Sequence, residues 1–203
     1  ALVHQICGLI TTSTDVVILS AFCDLFTVSI YAVYNMVFNI VGTALQSVNS
    51  SVQYILGNTY CKGIEPYKKV VRTYETCYMA LTSALMLVCY ICIVPFLRMY
   101  TAGSDINYVD NIFPILFFAI KILDAMRNAS VNTISVSGHF DKTKQHAIIE
   151  SIINLSISVC SVYWFGMEGV LFGTIIAFIY RNIVAIHYAN AKILKSKSTH
   201  TIK

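Results

Sequence analysis

Apolar residues fall along this chain in long runs, and the charged positions cluster between them. A helix needs roughly 20 mostly apolar residues to cross the hydrocarbon core of a bilayer. Six such runs can be placed, at about 2–22, 25–48, 76–97, 111–136, 146–165 and 169–189. The expected fold is therefore all-α and integral to a membrane, with six transmembrane helices over 1–190 and a basic tail over 191–203. The stretch 54–75 is long for a connection. Its Tyr54, Ile55, Tyr67, Val70, Val71 and Tyr74, mixed with bases, read either as a helix lying on the inner surface or as a plain polar linker.

Composition agrees with a bilayer as solvent. Hydrophobic residues make up 57% and charged residues 12% of the 203, and the mean hydropathy of +0.68 is too high for an ordinary soluble domain. The net charge of +4 is sorted by position, since ten of the fourteen Lys and Arg lie in alternate gaps and the tail. Lys62, Lys68, Lys69 and Arg72 follow the second run, Lys142 and Lys144 the fourth, and Lys192, Lys195, Lys197 and Lys203 the sixth. The opposite gaps hold Asp24, Asp105, Asp110 and Glu168, with Arg98 as their only base. The positive-inside bias then puts the tail in the cytoplasm. Tyr100, Tyr108, Tyr163 and Trp164 near outer ends, and Tyr54, Tyr74, Tyr78 and Tyr188 near inner ends, suit headgroup-level belts. No base-reading motif accompanies the lysines, so nucleic acid is not an expected partner.

Catalytic signatures are missing from the sequence. It holds no phosphate-binding loop, zinc-protease helix, nucleophile elbow or dinucleotide fingerprint. The seven cysteines are scattered: Cys7, Cys77, Cys89, Cys92 and Cys160 in or at the ends of spans, Cys23 outside and Cys61 inside. Cys89 and Cys92 read as two small hydrophobes on one helix face, and His139 and His146 as loop histidines without companions at metal-ligand spacing. No enzyme and no organic cofactor is expected. The first residue is Ala1, with neither initiator nor secretory signal, and the chain reads as a piece of something longer.

Polar residues at membrane depth carry the functional signal, because an ionisable group there is costly and faces a cavity or a partner. At 1.5 Å per helical residue, Asp15 and Ser158 lie roughly 12 Å from the outer end and Thr174 roughly 8 Å. Asn154 and Ser158 share a helix face, as do Val170 and Thr174 on the next span. Their oxygens can converge with the Asp15 carboxylate, and such a set suits a hard cation; interhelical hydrogen bonding among small polar residues is the plainer reading. Lys121, Asp124, Asn128, Asn132 and Ser135 form one polar stripe on span four. Lys121 is expected to pair with Asp124 or to meet an anionic substrate, and Arg127 or Arg181 to pair with Glu150.

Several blocks carry a family likeness. Ser137-Gly138-His139-Phe140-Asp141-Lys142-Thr143, Ile148-Ile149-Glu150, Ile153-Asn154-Leu155 and Gly169-Val170-Leu171-Phe172-Gly173-Thr174-Ile175 resemble the C-terminal part of bacterial Wzx-type polysaccharide flippases. Thr14-Asp15, Val28-Ser29-Ile30-Tyr31, Leu97-Arg98-Met99-Tyr100-Thr101 and Asp105-Ile106-Asn107-Tyr108 extend the likeness over nearly the whole chain. The resemblance implies the C-terminal lobe of a MATE/MOP-type exporter, whose two six-helix lobes enclose a cavity open alternately to either side. It also implies a function: moving a polyprenyl-diphosphate-linked oligosaccharide across the bacterial cytoplasmic membrane, with an N-terminal six-helix lobe completing the cavity. The related lipid II flippases carry a sodium site on this lobe, which the likeness maps onto Asp15, Asn154, Val170 and Thr174. Ser158 stands where that site has a second acid, and a sodium ion or a proton would be the coupling ion. Lys121, Asp124, Arg127, Asn128, Glu150 and Arg181 are the candidates to line the cavity. A cation-coupled multidrug exporter of the same fold is the alternative, and a membrane enzyme of lipid-linked sugar assembly the second.

Overall fold

A computed structural model describes residues 13–102, 108 and 110–194, apart from the side chains of Phe140 and Lys142. Expectations resting on residues 1–12, Cys7 among them, and on Asp105, Ile106, Asn107, Lys195, Lys197 and Lys203 lie outside it.

The described elements are all helical. We label them α1 (Ser13–Phe22), α2 (Leu25–Cys61), α3 (Ile64–Tyr100), α4 (Ile112–Val136) and α5 (Phe140–Tyr188), the last running into a short π-helix over Ala189–Ile193. Three helical stretches are long and apolar enough to cross a membrane: Leu25–Cys61, Ile64–Tyr100 and Thr143–Ile193. Of the rest, α1 is short and apolar, while α4 places Lys121, Asp124 and Arg127 within one 25-residue helix.

At 37 residues each, α2 and α3 are about 55 Å long, well beyond the roughly 30 Å of a hydrocarbon core. This corrects the reading of 54–75. The stretch is neither a surface helix nor a linker but the joined ends of two long helices, turning at Lys62–Gly63. The reason is a buried stripe that continues past the apolar run: Tyr67, Val71, Tyr74 and Tyr78 recur at helical spacing, and the Tyr60 and Tyr67 rings meet edge to face at 5.1 Å. Tyr74 and Tyr78 are accordingly buried, not part of a headgroup belt, whereas Tyr54, Tyr100, Tyr163 and Trp164 are exposed.

Side-chain pairings fix the helix directions. Tyr74 bonds to Asn49 and Tyr78 to Leu45, so α2 and α3 are antiparallel. Lys121 meets Asn39 and Ser135 meets Gln53, so α2 and α4 are parallel. The two arms of α5 fold back on each other: His139 faces Tyr188, His146 faces Tyr180, Asn154 faces Thr174 and Ser158 faces Val170. The reversal occurs at Gly166, whose φ of 54° and ψ of −130° break the helix. A side chain would strain that backbone, whereas glycine accepts it. Directions therefore alternate along the chain. Lys62, Lys68, Lys69, Arg72, Lys144 and Lys192 gather toward one end of the bundle, and Asp24, Asp110 and Glu168 toward the other. At that acidic end the Thr27 hydroxyl donates to Asp24 at 2.5 Å and holds the carboxyl below the usual carboxylate range.

The core joins α2 to α4. Tyr34 and Phe38 stack on Phe117, with ring centroids 6.1 and 5.5 Å apart. Outward-facing positions such as Ile40, Val88, Ile91 and Ile183 are apolar and exposed, as suits a surface solvated by lipid.

Candidate functional site

The five residues of the expected cation set come together where α1 meets the α5 hairpin. Asp15, Asn154, Ser158, Val170 and Thr174 are all buried, Asn154, Ser158 and Val170 completely. The Thr174 hydroxyl lies 3.2 and 3.1 Å from the two Asp15 carboxylate oxygens. Asn154 Nδ2 donates to that same hydroxyl at 2.9 Å, and the hydroxyl's proton has the Asp15 carboxylate and, at 3.4 Å, the Val170 carbonyl as acceptors. Ser158 Oγ donates to the Val170 carbonyl at 3.3 Å. Tyr31, from α2, adds a hydroxyl 3.4 Å from Asp15 Oδ2.

Close packing makes the convergence possible. A Cβ on Gly169 would overlap the Ser161 carbonyl, and one on Gly173 the Ser158 hydroxyl. Small residues let the arms approach until their polar groups touch, the usual device at membrane helix contacts. One atom is left over. Among the described residues Asn154 Oδ1 is buried and has no hydrogen-bond partner, at a cost a buried carbonyl normally avoids. The set offers only oxygens as acceptors, carries one carboxylate and keeps one unused amide oxygen. Its chemistry fits a hard cation of low charge.

The second group of candidates lies toward α4. Lys121 does not pair with Asp124: its Nζ donates to Asn39 of α2 at 2.6 Å, and it makes no ion pair among the described residues. Asp124 binds Arg127 instead, at 2.6 Å. Arg127 also binds Glu150 at 2.9 Å, and the other oxygen of Glu150 lies 3.5 Å from Arg181 Nε. Both arginines thus share Glu150 in one alternating chain of charges. The three described sequence neighbours on the stripe are tied inward: Asn128 donates to Tyr78, Asn132 to Asn49, and Ser135 accepts from Gln53.

Lys121 and Asp124 open onto a cleft of about 250 Å³, walled on the α2 side by Asn39, Thr43 and Gln46 and floored by Tyr78 and Met86. Gly42 lies beside the ammonium, and a Cβ there would stand at an ordinary contact distance of 3.6 Å. The α2 residues were missed by a reading that followed charges. Their signal is nonetheless present: Asn39, Thr43, Gln46 and Ser50 recur at spacings of four, three and four, all exposed along one side of an apolar helix. Compared with protein-family models, curated proteins and solved structures, the chain matches none of them.

Proposed function

We propose that this chain is the C-terminal lobe of a Wzx-type flippase, six-spanning in the bacterial cytoplasmic membrane with its C-terminus in the cytoplasm. Its parent would move polyprenyl-diphosphate-linked oligosaccharide between leaflets by alternating access. The observation that carries this reading is the polar wall of α2 and α4. Asn39, Thr43, Gln46 and Ser50 are exposed on one helix long enough to cross the bilayer, beside a Lys121 ammonium held by an amide rather than a carboxylate. Thr43 and Ser50 donate to carbonyls one turn back, and Asn39 bonds Asn35 and Lys121, but hydrocarbon against that wall would leave the rest of their donor and acceptor capacity unpaired. A hydrated cavity, closed on its far side by an N-terminal lobe, would not.

The chemistry of translocation follows from desolvation. Each sugar hydroxyl is expensive in hydrocarbon unless it is paired. Amides and hydroxyls along the wall replace the lost water, and Lys121 offers an ammonium to an acidic group while the lipid tail stays in the bilayer. Asp15, Asn154, Ser158, Val170 and Thr174 would hold a sodium ion, which would favour the state of the lobe that keeps their oxygens together. Differential affinity of that kind is the only way a ligand shifts such an equilibrium.

The test is depletion of the full-length protein in its native host, with lipid-linked oligosaccharide assayed on each side of the membrane. Accumulation on the cytoplasmic side is expected, and its absence overturns the reading. Replacing Lys121 by Gln in the full-length protein should slow flipping by about tenfold or more, the worth of one charge-assisted hydrogen bond; an unchanged rate removes Lys121 from the substrate path.

A further inference from the structure

The cleft and the Asp15 cluster lie on different helices, and one side chain touches the framework of both. The Arg127 guanidinium binds Asp124, which lines the cleft and is 41% exposed. Its other nitrogen binds Glu150 on the first arm of α5. Its face lies 4.7 Å from the ring centroid of Phe178 on the second arm. Glu150 is one helical turn from Asn154, and Phe178 is one turn from Thr174, so Arg127 grips both arms next to the two residues that build the cluster.

We infer that Arg127 couples the two sites: it is a positioning residue through which occupancy of the Asp15 cluster changes the cleft. This rests on the cation-coupled reading proposed above. A cation that draws the open Asn154 Oδ1 toward the Asp15 carboxylate and the Thr174 hydroxyl competes with the Asn154–Thr174 bond that now spans the arms, and so changes their spacing. Arg127 spans those arms and registers the change. It can move without stranding Glu150, because Arg181 also holds that carboxylate. When it moves, Asp124 either follows or loses its partner, and in both cases the charge presented beside Lys121 is altered. Arginine is suited to this place because its planar fork serves two carboxylates at once while stacking on a ring, which lysine does not do.

The experiment uses the full-length protein with its native cysteines replaced and Gln46→Cys as a reporter in the cleft. Thermal stability and the rate of maleimide labelling are measured in sodium chloride and in choline chloride. Sodium should raise stability and change the labelling rate by about fivefold or more, the lower range of ordinary allosteric couplings. Arg127→Lys should keep the sodium-dependent stabilisation and lose the labelling response, and Asp124→Asn, which leaves α5 untouched, should do the same. Stabilisation without any labelling response in the parent overturns the coupling alone. So does a labelling response that survives both substitutions, and so does loss of the stabilisation itself in Arg127→Lys, which would mark a merely structural role. Absence of sodium stabilisation with Asp15 intact overturns the cation reading together with this inference.

Discussion

Two polar regions sit side by side in this bundle and are built on opposite terms. The seam of α2, α3 and α4 joins helices through neutral groups that satisfy each other: Tyr67 with Thr133, Tyr74 with Asn49, Asn132 with Asn49, Tyr78 with Asn128. The cluster of α1 and α5 holds a carboxylate, is packed around glycines and leaves Asn154 Oδ1 without a partner among the described residues. Tyr74 and Tyr78 in the seam hold two partners each, and so do Asp15 and Thr174 in the cluster. What sets the cluster apart is a carboxylate beside an open amide oxygen, whereas the seam's Thr82 hydroxyl, unpartnered among the described residues, lies at the cleft. Polar groups in a membrane protein therefore divide by how completely they are spent inside the protein: those fully paired act as glue, and those left with an open valence or an open cleft are candidates for ligands.

The sharpest break in this contrast comes from the charges that join the two regions. Glu150→Gln would leave two arginines short of a carboxylate and should destabilise the protein by about 3–5 kcal/mol, read by equilibrium unfolding in mixed micelles. Asp124→Asn, at the half-exposed end of the same chain, should cost under about 1 kcal/mol; equal losses would mean that the network is not graded by burial. Next is the ion. If the cluster binds sodium, about 2.7 kcal/mol of stabilisation appears at a hundredfold excess over Kd, and Asp15→Asn should abolish it. Equal and negligible responses of the two proteins would reject the site. Gly173→Ala pushes a methyl into the Ser158 hydroxyl and should cost about 2 kcal/mol in the same unfolding assay. The smallest effect belongs to the seam: Tyr74→Phe should lose only about 0.6 kcal/mol, the mean worth of one interhelical hydrogen bond, because Asn49 and Asn132 remain 2.8 Å apart. A loss as large as that of Glu150→Gln would erase the distinction drawn here.

How far the sequence announced these regions depends on what each one required. The Asp15 cluster was legible because charge sorting gives depth and helical spacing gives a face, and two of its faces belong to helices joined by a tight turn. Partner choice was not legible. Lys121 meets Asn39 rather than Asp124 because the rotation of α4 against α2 is set by the packing of Tyr34, Phe38 and Phe117, which no local spacing encodes. Tyr74 and Tyr78 were misread for a related reason: tyrosines near a span end suit a headgroup belt until neighbouring helices supply asparagines for their hydroxyls. The true lengths of α2 and α3 were hidden by polar residues beyond the apolar runs, although the buried stripe of tyrosines continues through them. Six crossings and the orientation rest on the apolar runs and the sorting of charges, and the transported substrate on the resemblance.

The turn at Gly166 has a mechanical consequence. With a single non-helical residue between the arms of α5, there is no slack for one arm to slide along the other. The motion left open is a splaying of tongs about that point. Ser158 lies about 12 Å from the pivot and His139 about 40 Å, so the hairpin is a lever that multiplies displacement roughly threefold from its acidic to its basic end. An ångström of opening beside Ser158 would become about 3 Å between His139 and Tyr188, enough to break the contact of 3.3 Å that now closes the tips.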